Sequence, residues 1–129
     1  MECVAHINNR FSHFLGYKFK SLHQIHPFLE PSGSGISSLW ARTTALKFNT
    51  KVIVGYPEKV DVREKWPASP EYYNSAIMVN GEGENILNYR KRFLHRTDET
   101  WALEGDGGFY SDDIVGLGKT VVGICMDLK

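Results

Sequence analysis

Cysteine is nearly absent from this chain: only Cys3 and Cys125 occur in 129 residues, one near each end. Two thiols so far apart give no disulfide framework. The opening MECVAHINNRFSH also lacks the apolar stretch of a signal peptide, so the expectation is an intracellular, cytoplasmic protein with free thiols. No run approaches the about 20 apolar residues that span a bilayer, which gives no membrane association to expect. Charge of one sign is missing as well. Fifteen Lys plus Arg balance 15 Asp plus Glu, which removes the electrostatic case for nucleic acid or an anionic membrane and suits a small neutral or zwitterionic substrate. Closely spaced cysteines are lacking, and His23-x-x-His26 is the one histidine pair with metal-like spacing; it lies in a loop-like segment where surface polar residues are the rule. Neither metal nor cofactor is expected. There are no internal repeats and no low-complexity tract.

What is present reads as alternating helix and strand. Residues 1 to 13 carry no useful strand alternation and are expected to be irregular, with an ordered region over 14 to 129. Ser34 precedes Ile36, Leu39, Trp40, Thr43, Leu46 and Phe48, a three-to-four residue period that predicts an amphipathic helix over 36 to 48, with a serine cap and Asn49 near its end. KVIVGYP, closed by Gly55 and Pro57, is short, apolar and β-branched, and predicts a buried strand. EKVDVREKWPASPE, residues 58 to 71, is charged with two prolines and is expected to be a surface loop. YNSAIMVN and NILNYRKRFL flank GEGE, a hairpin signature. Residues 97 to 119 are rich in glycine and acid, which predicts a functional loop, and TVVGICMDL is expected to be the last strand. The fold class is α/β.

Cys125 is expected where a strand gives way to a loop, the place where ligand sites gather in layered α/β folds. A cysteine nucleophile needs a base or cation beside it. Lys91, in Tyr89-Arg90-Lys91-Arg92, is a candidate because its strand could neighbour the last one; a solvated basic strand end is the competing reading. Glu99 and Glu104 lie in the acidic loop, where carboxylates are most often simply exposed.

Taken together, GYKFKSL, VGYPE, YYNSAIMVNGEGENILNYRKRFLHRTDETWALEGDGGF and GICMDL resemble the carbon-nitrogen hydrolase (nitrilase) superfamily, and within it the fungal protein N-terminal asparagine/glutamine amidohydrolases. The resemblance covers residues 14 to 128 and corresponds to about the first half of such a domain. It implies a partial nitrilase-type α-β-β-α layered sandwich, truncated after the nucleophile strand. It also implies catalytic roles for Cys125 as nucleophile, Lys91 as the lysine of the Tyr-Arg-Lys motif and Glu99 as a supporting carboxylate. The implied reaction is hydrolysis of the side-chain amide of an N-terminal Asn or Gln, releasing ammonia in an N-degron pathway, with peptide or protein N-termini as substrates and oligomerisation left open. Relatives carry a Pro-Glu pair just before their Gly-Tyr motif, and its glutamate is the base. Here NNRFSHFL precedes Gly16-Tyr17 without an acid. The alternatives are an inactive fragment or non-catalytic binding protein of the same family, or an amidase acting on a small-molecule amide.

Overall fold

A computed structural model of the chain describes the backbone of residues 2–7, 10–15, 19–116 and 118–128, and the side chains of 19–116 and 118–127. The expected irregular start is corrected to a hairpin, in which β1 (Glu2–Ile7) pairs antiparallel with β2 (Arg10–Leu15). Alternation is poor in the first strand taken alone. The two together supply Val4, Ile7, Phe11 and Phe14, residue types that favour an extended backbone. Gly16 and Tyr17, with Lys18, lie outside the described residues.

A short helix α1 (Leu22–Ile25) follows, with the Ser21 hydroxyl accepting from the Gln24 N–H at 3.3 Å. The chain then runs along the sheet edge: the Glu30 N–H donates to the Pro57 carbonyl at 3.0 Å and the Glu30 carbonyl accepts from the Lys59 N–H at 2.9 Å. This placement supplies the cap for helix α2 (Ile36–Phe48), which the sequence period located correctly. The expected serine cap is not used. Gly35 occupies the cap position and the Glu30 carboxylate accepts from the Ser37 N–H at 2.8 Å and the Ser37 hydroxyl at 2.5 Å. An anion here satisfies a first-turn N–H and meets the positive end of the helix. Only glycine admits that approach, since a Cβ on residue 35 would fall 2.0 Å from a Glu30 carboxylate oxygen. Asn49, left-handed at φ 46°, ends the helix as expected.

The face that α2 buries differs from the expected one. Ser38, Ala41 and Ala45 are covered, whereas Ile36, Leu39, Trp40, Leu46 and Phe48 are exposed. Small side chains let the helix approach the sheet closely, so the large apolar positions point outward. Beneath it lies a three-stranded antiparallel sheet in which β4 (Glu71–Val79) is flanked by β3 (Val52–Val60) and β5 (Asn85–Arg90). The expected loop over 58 to 71 is shorter: residues 58 to 60 continue β3 and Glu71 begins β4. Charge misled here, because Glu58 is buried and paired rather than solvated. The GEGE hairpin forms, and the Asn80 side-chain oxygen ties it by accepting from the N–H groups of Glu82 and Glu84.

On the helix side of the sheet Ala41 and Ala45 pack with Tyr56, Ile77 and Val79. On the other side Ile53, Ala76, Met78 and Tyr89 pack with Ile114, Val122 and Ile124, with Cys125 partly buried against them. Each fully buried Val or Ile contributes about 1.5–3 kcal/mol, so this second cluster fixes the end of the chain against the sheet. Its outer wall is another hairpin, in which β6 (Tyr110–Ile114), where a loop was expected, pairs with β7 (Gly118–Val122), the start of the expected last strand. In β6 the buried apolar anchor, Ile114, follows the exposed Ser111, Asp112 and Asp113, which hides the strand pattern. The expected last strand stops at Val122, and Cys125–Leu128 forms a short 3-10 turn. The result is a mixed α/β chain layered as helix, sheet and hairpin.

Candidate active site

Alternation along β5 sends successive side chains to opposite faces of the sheet, so Arg90 and Lys91 part company. Arg90 turns to the helix side. There its guanidinium donates to both Glu58 carboxylate oxygens, at 3.0 and 2.9 Å, and lies 4.2 Å from the Tyr73 ring centroid. Glu58 also accepts from the Ser75 hydroxyl at 2.6 Å and from the Asn88 amide. Burial alone would raise the Glu58 carboxyl, but the hydrogen bonds from Arg90 and Ser75, the Arg90 charge and the Asn88 bond together hold it below its ordinary value.

Lys91 turns to the side where Tyr89 and Cys125 pack. Its ammonium is fully enclosed and donates to Asp98 at 2.6 Å. Enclosing an ammonium costs several kcal/mol unless a carboxylate answers it, and the carboxylate here is held by two further donors. The same Asp98 oxygen accepts from the His95 N–H at 3.1 Å, and the other accepts from the Asn74 side-chain amide at 3.3 Å. Among the described residues no buried side-chain nitrogen or oxygen lacks a hydrogen-bond partner.

The carboxylate that meets Lys91 is therefore Asp98. Glu99, which the family resemblance implied as the supporting carboxylate, is exposed and lines an open cleft with Ala68, Pro70 and Leu103. Both belong to one short turn, Asp98–Thr100, in which neighbouring side chains diverge; spacing from Lys91 does not reveal which one points inward. Glu104 is exposed too. Next to it, Gly105 lies against the strand end, its N–H donating to the Lys91 carbonyl at 2.9 Å, and a Cβ there would come 2.4 Å from the Arg90 carbonyl oxygen.

Cys125 opens the terminal turn with φ 52°, a left-handed backbone that costs a non-glycine residue about 1 kcal/mol or more. It is a half-buried free thiol. β5 and β7 belong to different sheets, so the expected neighbouring of the Lys91 strand with the last strand is not what joins Lys91 to Cys125. Asp127 does so, its carboxylate accepting from the Arg92 and Phe93 N–H groups at 3.1 and 2.7 Å, the Tyr89 hydroxyl at 2.8 Å and the Ile124 N–H at 3.0 Å. The arrangement thus holds a thiol and a buried cation on one face of the sheet, the pair that nucleophilic attack on an amide requires.

No family model matches the chain. Curated relatives do, among them the protein N-terminal amidase of Saccharomyces cerevisiae, 34% identical over 133 residues, and that of Schizosaccharomyces pombe, 33% identical over 116 residues, each aligned to 88% of this chain. The chain is homologous to the protein N-terminal amidases. It spans 27% of the first relative's length and 39% of the second's. Solved N-terminal amidases share the fold: one crystal structure aligns to 88% of this chain with TM-score 0.70 and 31% identity, covering 29% of its own length. Another, holding an Asn-Glu-Ala peptide, aligns to 77% with TM-score 0.66 and 35% identity, covering 22% of itself.

Among the described residues no cluster of His, Cys, Asp or Glu side chains is arranged to hold a metal ion, and no helix is long and apolar enough to cross a membrane.

Proposed function

We propose that this chain supplies Cys125 and Lys91 of an amidohydrolase site that removes ammonia from the side-chain amide of an N-terminal Asn or Gln. Residues 14 to 129 are read as part of a carbon-nitrogen hydrolase domain. The observation that carries the reading is the fully enclosed, carboxylate-bound ammonium of Lys91 on the face where the only described thiol packs. A lysine serving solubility would have no reason to be there. The Cys125 sulfur attacks the amide carbon, forming a carbon–sulfur bond while the carbon–nitrogen bond breaks, and the thiol proton leaves with the nitrogen as ammonia. Water then opens the thioester to a carboxylate and restores the thiol. Lys91 stabilises the oxyanion of the tetrahedral state, with Asp98 orienting its side chain; loss of one such donor costs about 100- to 1000-fold in rate. Glu99, on the rim of the open cleft, takes no part in this scheme.

Peptide N-termini are the proposed substrates, supported by the amidase homology and by the Asn-initiated peptide held in a solved relative. The test is ammonia release from Asn- and Gln-initiated peptides, with N-acetylated peptides and a small aliphatic amide as comparisons. Preference for the free N-terminus supports the reading. Equal turnover of the aliphatic amide, or undiminished turnover in Cys125→Ser, overturns it.

A further inference from the structure

Resting on the reading of Cys125 and Lys91 just given, we propose that Asp127 is the positioning residue of the nucleophile: its carboxylate ties the turn that carries Cys125 to the two peptide N–H groups that follow Lys91. The side chain is buried, and its four hydrogen bonds divide in a telling way. One oxygen accepts from the Arg92 and Phe93 N–H groups, the two that follow Lys91. The other accepts from the Tyr89 hydroxyl, two residues before Lys91, and from the N–H of Ile124, the residue before Cys125. A carboxylate offers about four lone-pair directions, and here four donors fill them, so Asp127 has none left for substrate. It acts through its neighbours.

The backbone of Cys125 gives the tie a purpose. A left-handed cysteine persists only where the flanking groups are fixed. The Asp127 side chain holds the Ile124 N–H, and the Asp127 N–H returns to the Ile124 carbonyl at 3.2 Å, closing the turn across Cys125. The surroundings of Tyr89 agree, since burial, reinforced by its bond to Asp127, pushes the tyrosine hydroxyl well above its ordinary value and keeps it a donor.

The test compares Asp127→Asn with Tyr89→Phe in the intact protein. An asparagine can present its oxygen to Arg92 and Phe93 and its amide to the Tyr89 oxygen, but it then meets the Ile124 N–H donor to donor, so this variant frees the cysteine turn selectively. Displacing a reacting atom by about 1 Å costs about 100-fold, so kcat should fall by roughly that factor with KM for an Asn-initiated peptide nearly unchanged. The rate of Cys125 alkylation by iodoacetamide, mapped by mass spectrometry, should rise several-fold as the half-buried thiol is released. Tyr89→Phe, which keeps the Ile124 bond, should leave both within about twofold. Lowered stability with the alkylation rate of folded protein unchanged would make Asp127 merely structural and overturn the proposal, as would equal effects of the two variants. Should Asp127→Asn not fold, amide exchange of the unmodified protein decides. The Ile124, Arg92 and Phe93 N–H groups should exchange as one unit, and early, separate exchange of Ile124 refutes the tie. Alkylation and exchange need no turnover, so their outcome stands apart from that of the amidase reading.

Discussion

Replacing Glu58 by Gln tests how the Tyr-Arg-Lys segment is held. The substitution keeps the side chain's shape but turns one acceptor oxygen into a donor facing Arg90, Ser75 or Asn88. Breaking a buried ion pair costs about 3–5 kcal/mol. Arg90 keeps 31% exposure against 1% for Glu58, so its guanidinium can recover some water, which places the loss near the lower limit, about 3 kcal/mol. For a domain of this size that corresponds to a fall of about 10 °C in Tm. Acid strengthens the test. The folded Glu58 carboxyl lies below its ordinary 4.5, so its contribution is complete above that pH and is lost as pH falls through the folded value. Urea unfolding of both proteins at neutral pH and toward about pH 3 should therefore show a gap that narrows on acidification. Arg90 and Lys91 face opposite sides of the sheet, so kcat per folded molecule should stay within about twofold. A gap below about 1 kcal/mol at neutral pH, or one that ignores pH, would mean that the Glu58–Arg90 pair does not hold this segment.

Three other outcomes follow from the packing. Gly105→Ala forces a Cβ to 2.4 Å from the Arg90 carbonyl oxygen and should cost about 1–3 kcal/mol, whereas Gly107→Ala, with nothing within 4 Å, should stay within about 0.5 kcal/mol by thermal unfolding. On α2, Trp40→Lys should be nearly neutral while Ala45→Leu, at 0% exposure, should cost about 1–3 kcal/mol; the reverse order in urea unfolding would put the wrong face on the sheet. Burial and the Glu71 carboxylate raise the Tyr73 hydroxyl to about 12, above its ordinary 10.0, so its contribution is present below pH 10 and lost as pH climbs through 12. Ultraviolet titration should show one late-ionising tyrosine fewer in Tyr73→Phe.

Local signals made much of the fold legible. The period from Ile36 to Phe48 located α2, and the GEGE turn between apolar runs located β4 and β5. Which side of α2 faces inward was not legible, because apolar size is a poor guide where alanines let a helix approach closely. Strand β6 was hidden by the exposed Asp112 and Asp113 beside its buried anchor, Ile114. At the site, Cys125 and Lys91 stood out through motif resemblance, whereas Asp98 and Asp127 did not. A buried acid is defined by partners distant in the chain, Asn74 for one and Tyr89 for the other, and only the folded arrangement brings these together.

Trapping the thioester decides whether Cys125 is the nucleophile and Lys91 its partner. The protein is mixed with an Asn-initiated peptide, quenched in acid within one turnover, digested, and read by mass spectrometry. The fragment bearing Cys125 should gain the mass of the peptide less ammonia; the adduct should be absent from Cys125→Ala and form at least about 100-fold more slowly in Lys91→Ala. Ammonia release with the label on Cys3 or on no cysteine, or an adduct that forms equally fast without Lys91, would contradict those roles.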